Sequence, residues 1–406
     1  MPRKRHGEGR RHVKMKLLKT RRAIVAGLAA VMLSGTLLTG CAGTAASTQS
    51  GSAATAEQAG SAEATSSKTR TVTDSEGNKV EIPYNVTKVA PTIGAFAQVT
   101  EMLTNGNGKI VAAATKQVDD NFKSVFKDYE KTNPDNNDST SVEGIIASGA
   151  QVAYGPKSAF SDEQLQQLKD AGVTFVDVSK MKTPDEICDS IQLIGDILGK
   201  DESARAKEFV KYYKKQIKTA QDYAAKHNGE KATMISLSVE GGQYFVAPAS
   251  DIANQYIEAA GLTNPAADYT SDTKSTNGSM VAVSAEQIAQ WNPDFILCFN
   301  MNTKNAVIAD KAFSKSKFMQ DGGSSNYDNV LVCPKGLYLW SVRSAEGCLL
   351  PEFLGSYAYA ATYGDFSMED TLKDFYKQWY NKDLSSHDAE LILTGRTNQT
   401  VAGSKK

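Results

Sequence analysis

Histidine is scarce in this chain of 406 residues, and the scarcity excludes several kinds of chemistry. Of four histidines, His6 and His12 lie in the basic N-terminal stretch, and only His227 and His387 remain, both in polar, helical surroundings. A Ser-His-Asp triad or a histidine-rich zinc site needs histidines near the ends of loops. The sequence therefore predicts neither a triad hydrolase nor a zinc enzyme.

Cysteine is also sparse, and its spacing indicates no metal or redox motif. Cys188, Cys298, Cys333 and Cys348 form no Cys-x-x-Cys pair and have no nearby histidine. Cys333 and Cys348 could form a disulfide in an exported protein, but buried free thiols are at least as good an expectation. Cysteine chemistry therefore does not define the function.

Phosphate-binding and nucleophile motifs are missing as well. No P-loop, Gly-x-Gly-x-x-Gly or Gly-x-Ser-x-Gly follows a predicted strand. The formal net charge of −1 gives no reason to expect nucleic acid as a partner. We therefore predict a protein that is not an enzyme. The alternative is a membrane-anchored enzyme acting on cell-wall or sugar substrates, which would need two carboxylates about 5–10 Å apart in a cleft.

An apolar run from Ala23 to Leu33 follows basic residues and leads to Leu38-Thr39-Gly40-Cys41. The run is short for a membrane span. The ending resembles a bacterial lipoprotein signal, which implies a signal peptide over residues 1–40 and a lipid on Cys41. The start codon is then either Met1 or Met15. The alternative is an ordinary secretory signal or an N-terminal anchor in which Cys41 has no role.

The next stretch, residues 41–68, contains almost no large apolar side chains: "AGTAASTQSGSAATAEQAGSAEATSS". Such a composition cannot bury enough surface to offset the entropy of ordering, so a flexible tether is expected. A lipid on Cys41 followed by a tether predicts a protein held at the extracytoplasmic face of the cell membrane, in the periplasm if the cell has two membranes.

The remaining chain alternates predicted strands and helices, which indicates an α/β fold with mainly parallel strands. We expect a β-hairpin over residues 71–82, a strand in "VTKVAP", a helix over 95–103 and a buried strand in "KIVAAA". Residues 116–138 are polar and are expected to be mobile. Helices end the chain.

A long helical pattern divides this body. After Gly199, with Asp201 as the expected cap, apolar residues recur at helical spacing without Pro or Gly as far as Lys226. A helix of about 25 residues is about 37 Å long at 1.5 Å per residue, enough to cross between domains. We predict an N-terminal lobe over residues 69–183, a helical segment over 184–229 and a C-terminal lobe over 230–400.

A short phrase occurs once on each side of this helix. "SVEGIIASGAQVAY" begins at Ser141 and "SAEQIAQWNPDFIL" begins at Ser284, and both read Ser-x-Glu-x-Ile before a Gly or Pro and an apolar run. The placement predicts two similar lobes with mainly parallel central sheets, bridged by one long rigid α-helix. A ligand cleft is expected between the lobes.

In two-lobed α/β proteins the loops after the strands converge on the cleft. Four such loops here carry aromatic rings, amides and cations that suit ligand binding. The predicted ligand-binding residues are Tyr154, Lys157, Gln243, Tyr244, Asn300, Asn302, Tyr338, Trp340 and Arg343. For any one of them, a place in the core or on the surface is an equally good interpretation.

The ordered series of motifs resembles the class III substrate-binding lipoproteins of bacterial ABC importers. The resemblance covers most of residues 70–395 and rests on the repeated phrase, on "IQLIGDILGKDESA", on "GLYLWSVRSAEGCLL" and on "FYKQWYNKDLSSHDAELIL". It implies a monomeric receptor without a cofactor that takes a ligand between two lobes. The family's ferric siderophores, haem and cobalamin are the ligands it suggests, with a ferric siderophore preferred because few histidines are present.

The resemblance also implies a role for the repeated glutamates. Family members use one glutamate on each lobe to dock on arginines of the permease dimer, and by position these are Glu143 and Glu286. A two-fold repeat suits a partner with two-fold symmetry. Each glutamate would also stabilise the start of a helix by about 0.3–1 kcal/mol, and both roles can hold together.

Overall fold

Of the three sheets in the described part of the chain, the two larger ones lie on either side of a long helix. The computed structural model describes residues 68–276, 279–320 and 327–397. The predicted signal peptide, Cys41 and most of the tether lie outside the described residues.

Ten strands are found in the described ranges. They are β1 (Thr69–Thr73), β2 (Lys79–Pro83), β3 (Val89–Pro91), β4 (Val152–Gly155), β5 (Thr174–Asp177), β6 (Met234–Glu240), β7 (Gln243–Val246), β8 (Val281–Val283), β9 (Phe295–Cys298) and β10 (Val330–Val332).

The same ranges contain fourteen α-helices. They are α1 (Gly94–Leu103), α2 (Asp120–Val125), α3 (Tyr129–Thr132), α4 (Val142–Ala147), α5 (Asp162–Asp170), α6 (Pro184–Leu198), α7 (Lys200–Ala224), α8 (Ile252–Ala259), α9 (Ala285–Trp291), α10 (Met301–Ala309), α11 (Leu350–Ala358), α12 (Ala360–Tyr363), α13 (Met368–Tyr380) and α14 (Ser386–Leu393).

The N-terminal lobe is built on a parallel sheet in the order β3-β4-β5. One face of the sheet packs Ala90 and Ala153 against Ile145 of α4 and Leu168 of α5. The other face packs against α1 and α6. Burial on both faces explains why these short strands are almost entirely apolar. The antiparallel hairpin β1-β2 confirms the prediction for residues 71–82.

The C-terminal lobe contains a five-stranded sheet in the order β10-β9-β6-β7-β8. Strands β10, β9 and β6 are parallel, whereas β7 is antiparallel to both of its neighbours. A tight turn at Gly241 and Gly242, both with positive φ, joins β6 to β7. The predicted fold class, two mainly parallel lobes with a bridging helix, is confirmed.

The bridging helix is α7, and its start follows from local sequence. Thr183 caps α6 by accepting from Glu186 N at 3.2 Å, Pro184 occupies the first turn, and Gly199 adopts a φ of 150° between α6 and α7. Asp201 was expected to cap α7 but lies in its first turn, because the chain turns directly at Gly199. Its negative charge still favours the helix start.

Helix α7 is held to both lobes. Its buried face contacts α1 and α6 on one side and α8 and α11 on the other. The Arg205 guanidinium donates to the carbonyl of Met102 at 2.8 Å and to that of Trp379 at 3.0 Å. One continuous hydrophobic cluster runs from the N-terminal lobe through α7 to the C-terminal helices. Helix α7 therefore connects the two lobes rigidly.

One predicted strand was wrong in extent. Residues 109–114 form only an isolated bridge between Ile110 and Val89, because Ala113 turns to pair with Asp138 instead. After β10, Pro334 removes a backbone N–H donor and ends the ladder, so residues 333–341 form a loop.

The expectation that residues 116–138 are mobile was also wrong. Phe122, Phe126 and Tyr129 are each buried to 3% exposure or less. Their rings make edge-to-face pairs at 5.1 and 5.4 Å, and Phe126 also contacts Tyr380 of α13. This aromatic cluster fixes α2 and α3 against the body of the protein.

All four cysteines in the described ranges are buried and free. No described helix is both long and apolar enough to cross a membrane.

The C-terminal segment returns to the N-terminal lobe, since Gln98 of α1 donates to the hydroxyl of Tyr380 at 2.9 Å and accepts from Ala345 N at 3.1 Å. The predicted lobe boundaries stay predictions.

Candidate functional site

A cavity of about 710 Å³ lies between the lobes. Phe299 and Asn300 line it directly after strand β9, at the carboxyl edge of the C-terminal sheet. Opposite them are Ile93, which precedes α1, and the loop that contains Lys116. Loops at the carboxyl edges of parallel strands are where α/β proteins bind ligands. The location is therefore that of a ligand-binding cleft.

The charged lining of this cavity is predominantly positive. Lys116, Lys335 and Arg343 outnumber Asp119, which gives a formal charge of +2 (three cations minus one anion). Lys335 Nζ and Asp119 Oδ2 form an ion pair across the lobes at 2.9 Å. Among the described residues, the Arg343 guanidinium makes no hydrogen bond or ion pair. Its donors are available for an anionic ligand.

Tyr338 joins the two sides of the cavity. Its hydroxyl donates to Gln117 Oε1 at 2.9 Å, and the same oxygen accepts from Gly94 N at 2.8 Å. A Cβ at Gly94 would lie 2.8 Å from the Tyr338 ring, so only glycine permits this close packing. Burial raises the pKa of Tyr338, and the charge of Arg343 opposes that rise. The phenol is therefore neutral and acts as a donor.

Glu346 fixes the loop that carries Tyr338. It is fully buried, and its carboxyl oxygens accept from Leu337 N at 3.2 Å and from Trp340 Nε1 at 3.1 Å. A Cβ at Gly336 would clash with this carboxyl group. Burial raises the pKa of Glu346 to about 7. The loop from Gly336 to Trp340 is thus held from beneath by one carboxyl group.

Four of the predicted ligand-binding residues line the cavity: Asn300, Asn302, Tyr338 and Arg343. Asn300 also caps α10, because its Oδ1 accepts from Thr303 N at 2.9 Å. That bond orients the amide at the cavity wall.

Tyr154 and Trp340 lie in the core instead, which corrects their predicted role. Both have 0% exposure. The Tyr154 hydroxyl bonds to that of Thr100, and Trp340 donates to Glu346. Large aromatic rings with a single polar atom are accommodated in a core when that atom finds a partner. Neither ring faces the cavity.

Lys157, Gln243 and Tyr244 are also placed away from the cavity. Lys157 is exposed on the outer face of the N-terminal lobe, where its backbone N donates to Asp177 Oδ1 at 2.7 Å. Gln243 donates to the carbonyl of Val283 at 2.8 Å. Tyr244 is nearly buried and donates to Asp310 at 3.0 Å. Gln243 and Tyr244 belong to β7, which is antiparallel to its neighbours. They are therefore not in a loop at the carboxyl end of a parallel strand, where the cleft lies.

The sequence reasoning missed the polar groups that the N-terminal lobe contributes, Lys116, Gln117 and Asp119. They precede α2, and Asp119 caps that helix by accepting from Phe122 N at 3.1 Å. The spacing of Phe122, Phe126 and Tyr129 at i, i+4 and i+7 would have indicated an ordered helical segment there.

The repeated glutamates lie at equivalent positions. Glu143 and Glu286 are both exposed in the first turns of α4 and α9. Ser141 accepts from Gly144 N at 3.0 Å and Ser284 accepts from Gln287 N at 3.1 Å, so each helix begins with the same cap. Cys41, the predicted lipidation site, lies outside the described residues.

Comparisons with known proteins agree with this architecture. The sequence model described as periplasmic binding protein matches residues 93–327, more than half of the chain. YvrC of Bacillus subtilis (strain 168), described as an uncharacterized ABC transporter substrate-binding lipoprotein, is 26% identical over 231 residues, 56% of this chain and 68% of the relative.

Two solved structures share the fold. A periplasmic solute binding protein from Veillonella parvula DSM 2008 has a TM-score of 0.63 at 22% identity, covering 82% of this chain and 100% of that chain. The molybdate-binding protein MolA of Haemophilus influenzae has a TM-score of 0.61 at 17% identity, covering 78% of this chain and 99% of that chain.

Proposed function

Because the chain belongs to the periplasmic binding protein family, we propose that it binds an iron complex, with a ferric siderophore preferred, and delivers it to a membrane permease. Family membership makes it the substrate-binding protein of an ABC transporter and not an enzyme. Its partners are accordingly a small-molecule ligand and an ABC permease. The alternative of an anchored cell-wall or sugar enzyme is thereby set aside.

The observation that carries the ligand proposal is the size and charge of the cavity. A volume of about 710 Å³ is much larger than a small tetrahedral oxyanion requires, and it falls within the range of roughly 300–1,000 Å³ of cofactor-sized sites. Phe299, Leu339 and Val342 supply an apolar wall, while Arg343 and Lys116 supply positive charge. A bulky anionic complex with apolar edges matches this lining.

The fold favours a receptor that closes little on its ligand. Helix α7 is bonded to both lobes, and the lobes also touch directly. Asn121 Nδ2 donates to the carbonyl of Gly336 at 2.8 Å beside the Lys335–Asp119 ion pair. A hinge motion would break these contacts together, so we expect small displacements on binding.

We further propose that Glu143 and Glu286 dock the receptor on the permease. Both are exposed, each stands in the first turn of a helix that precedes a central strand, and one lies on each lobe. The pairing suits a two-fold symmetric partner with basic side chains. A lipid on Cys41 would keep the receptor at the extracytoplasmic face of the membrane.

Calorimetric titration of the full-length chain in detergent tests the ligand proposal. The probes are a ferric hydroxamate, a ferric catecholate, haemin, cobalamin and molybdate, with the iron-free hydroxamate as control. We expect one-to-one binding of a ferric siderophore and weaker binding of its iron-free form. Tight binding of haemin, cobalamin or molybdate without binding of either ferric siderophore would contradict the proposal.

A further inference from the structure

A second, smaller cavity of about 380 Å³ adjoins the first. Phe299, Val342 and Arg343 line both cavities. Arg343 therefore stands at the boundary between the two chambers, and a ligand in the larger one lies beside the smaller one. We call the two the large chamber and the small chamber.

The small chamber gathers positive charge from three separate segments. Lys182 follows strand β5, Lys274 precedes β8, and Arg343 lies in the segment after β10. Among the residues that the structure describes, neither lysine ammonium group has a hydrogen bond or an ion pair. Asp251 is the only acid among the described residues that line the chamber, so the formal charge of this lining is +2 (three cations minus one anion).

Asp251 is held in place near Arg343, and it offsets one of the three positive charges. Burial raises the pKa of its carboxyl group, and the charge of Arg343 lowers that pKa. Asp251 is buried, and its Oδ1 accepts from Ala253 N at 2.8 Å, which caps helix α8. The hydroxyl-bearing residues Ser236, Ser250 and Ser341 also line the chamber. Cations together with hydroxyl donors are the groups that bind carboxylate oxygens.

We propose that the small chamber is a subsite for a carboxylate on a side arm of the ligand, whose metal-chelating body occupies the large chamber. This inference rests on the proposed function. The paired chambers then select elongated ferric complexes that carry an anionic arm. Arg343 would contact both parts of such a ligand, while Lys182 and Lys274 would contact only the arm.

A matched pair of complexes tests the subsite. N-acetyl and N-succinyl ferrioxamine have the same ferric hydroxamate body, and only the second ends in a carboxylate. Titration of the full-length chain in detergent should show the succinyl complex binding about tenfold more tightly, as expected for a charge-assisted contact. In the double variant Lys182→Gln/Lys274→Gln the ratio of the two affinities should fall towards one.

The control is Lys169→Gln/Lys311→Gln, which removes the same charge from two exposed lysines that line neither chamber. It should keep the preference for the succinyl complex. Equal binding of both complexes by the unaltered protein, or an unchanged preference in the Lys182/Lys274 variant, would overturn the subsite while leaving the receptor function intact. Binding of neither complex would overturn the ferric-siderophore proposal and this inference with it.

Discussion

The two halves of the molecule share one local sequence motif and the same local structure around it. They differ in the residues that they contribute to the cleft. In each half a serine caps a short helix, a glutamate is exposed in its first turn, and an isoleucine, Ile145 or Ile288, is fully buried. Each helix is followed by a residue with positive φ, Gly149 or Asn292, and then by a central strand. The repeated phrase therefore determines a capped helix with a buried isoleucine and an exposed glutamate, and not the residues of the cleft.

The strand ends differ. In the C-terminal lobe the chain leaves β9 directly into the cavity through Phe299 and Asn300. In the N-terminal lobe β4 ends at Gly155, which packs against Thr92, and Lys157 lies on the outer face. The loop at Lys116 supplies the groups that line the cavity instead. The two lobes thus share the proposed docking surface but contribute different groups to the cavity.

The largest expected effect comes from breaking the similarity at the docking surface. Glu143→Ala and Glu286→Ala should each cost about 2–5 kcal/mol of docking free energy if each glutamate pairs with a basic group. The double variant should lose uptake, while its affinity for the ligand in calorimetry should not change. The measurements are cellular uptake of a radioactive iron complex and titration of the purified protein.

Glu163→Ala is the matched control, because Glu163 is also exposed in the first turn of a helix, α5, whose sequence is outside the repeat. Uptake should be normal in this variant. Loss of ligand affinity in the Glu143/Glu286 double variant would contradict the docking role. So would normal uptake.

The next prediction tests whether the two repeated isoleucines contribute equally to the free energy of unfolding. Both side chains have 0% exposure, so Ile145→Ala and Ile288→Ala should each lower the free energy of unfolding by about 2–5 kcal/mol. Ile146→Ala is the control, since its side chain is 38% exposed and should change stability by about 0.5 kcal/mol or less. The measurement is urea denaturation. If either isoleucine variant lost less free energy of unfolding than the Ile146→Ala control, the two repeated isoleucines would not be equivalent in the two lobes.

Arg343 sharpens the contrast at the cleft, since it lines both chambers from the segment after β10. Arg343→Met should weaken binding of a ferric siderophore by about 1.5–3 kcal/mol, the range for hydrogen bonds to charged groups. Arg343→Lys should recover only part, because an ammonium group lacks the planar fork of donors. Titration with Lys157→Met as control is the test, and unaltered affinity in Arg343→Met would be a contrary result.

The smallest effect concerns two buried carboxyl groups, one in each region. Burial raises the pKa of Glu101 in α1 to about 8 and that of Glu346 to about 7. Neither oxygen of Glu101 has a hydrogen-bond partner among the described residues, whereas Glu346 has two donors. The folded protein therefore keeps protons that the unfolded chain releases above a pKa of about 4.3.

Stability should accordingly be greatest below about pH 4.5 as far as these groups are concerned, and should fall as the pH rises through 7 and 8. The slope is at most about 1.4 kcal/mol per pH unit for each group. Glu101→Gln should flatten the slope and stabilise the protein at pH 8. Glu346→Gln should not stabilise it, because an amide cannot accept both bonds. Denaturation between pH 5 and 8 checks this, and an unchanged slope in Glu101→Gln would refute it.

Much of the scaffold could be predicted because its signals are local. Thr183-Pro184 and Gly199 delimit α6 and α7, and Gly172 with a φ of 81° ends the α5 region before β5. The site was harder. Trp340 and Tyr154 have the apolar rings that either a core or a ligand pocket would use, and only tertiary packing decides between the two. Residues 116–138 are mostly polar, so the three aromatic residues that are buried there were not recognised as a sign of ordered structure. The residues of this segment that line the N-terminal side of the cleft were therefore missed as well.

The distance between the lobes tests the central claim most directly. Spin labels at Gln166→Cys on α5 and Gln290→Cys on α9, in a Cys41→Ser background, would lie on exposed helices of opposite lobes, and the other native cysteines are buried. Because α7 and the direct contacts hold the lobes rigidly, the pulsed-EPR distance should be the same with and without a saturating ferric siderophore. A shift of several ångströms on binding would show a hinged receptor and contradict the account.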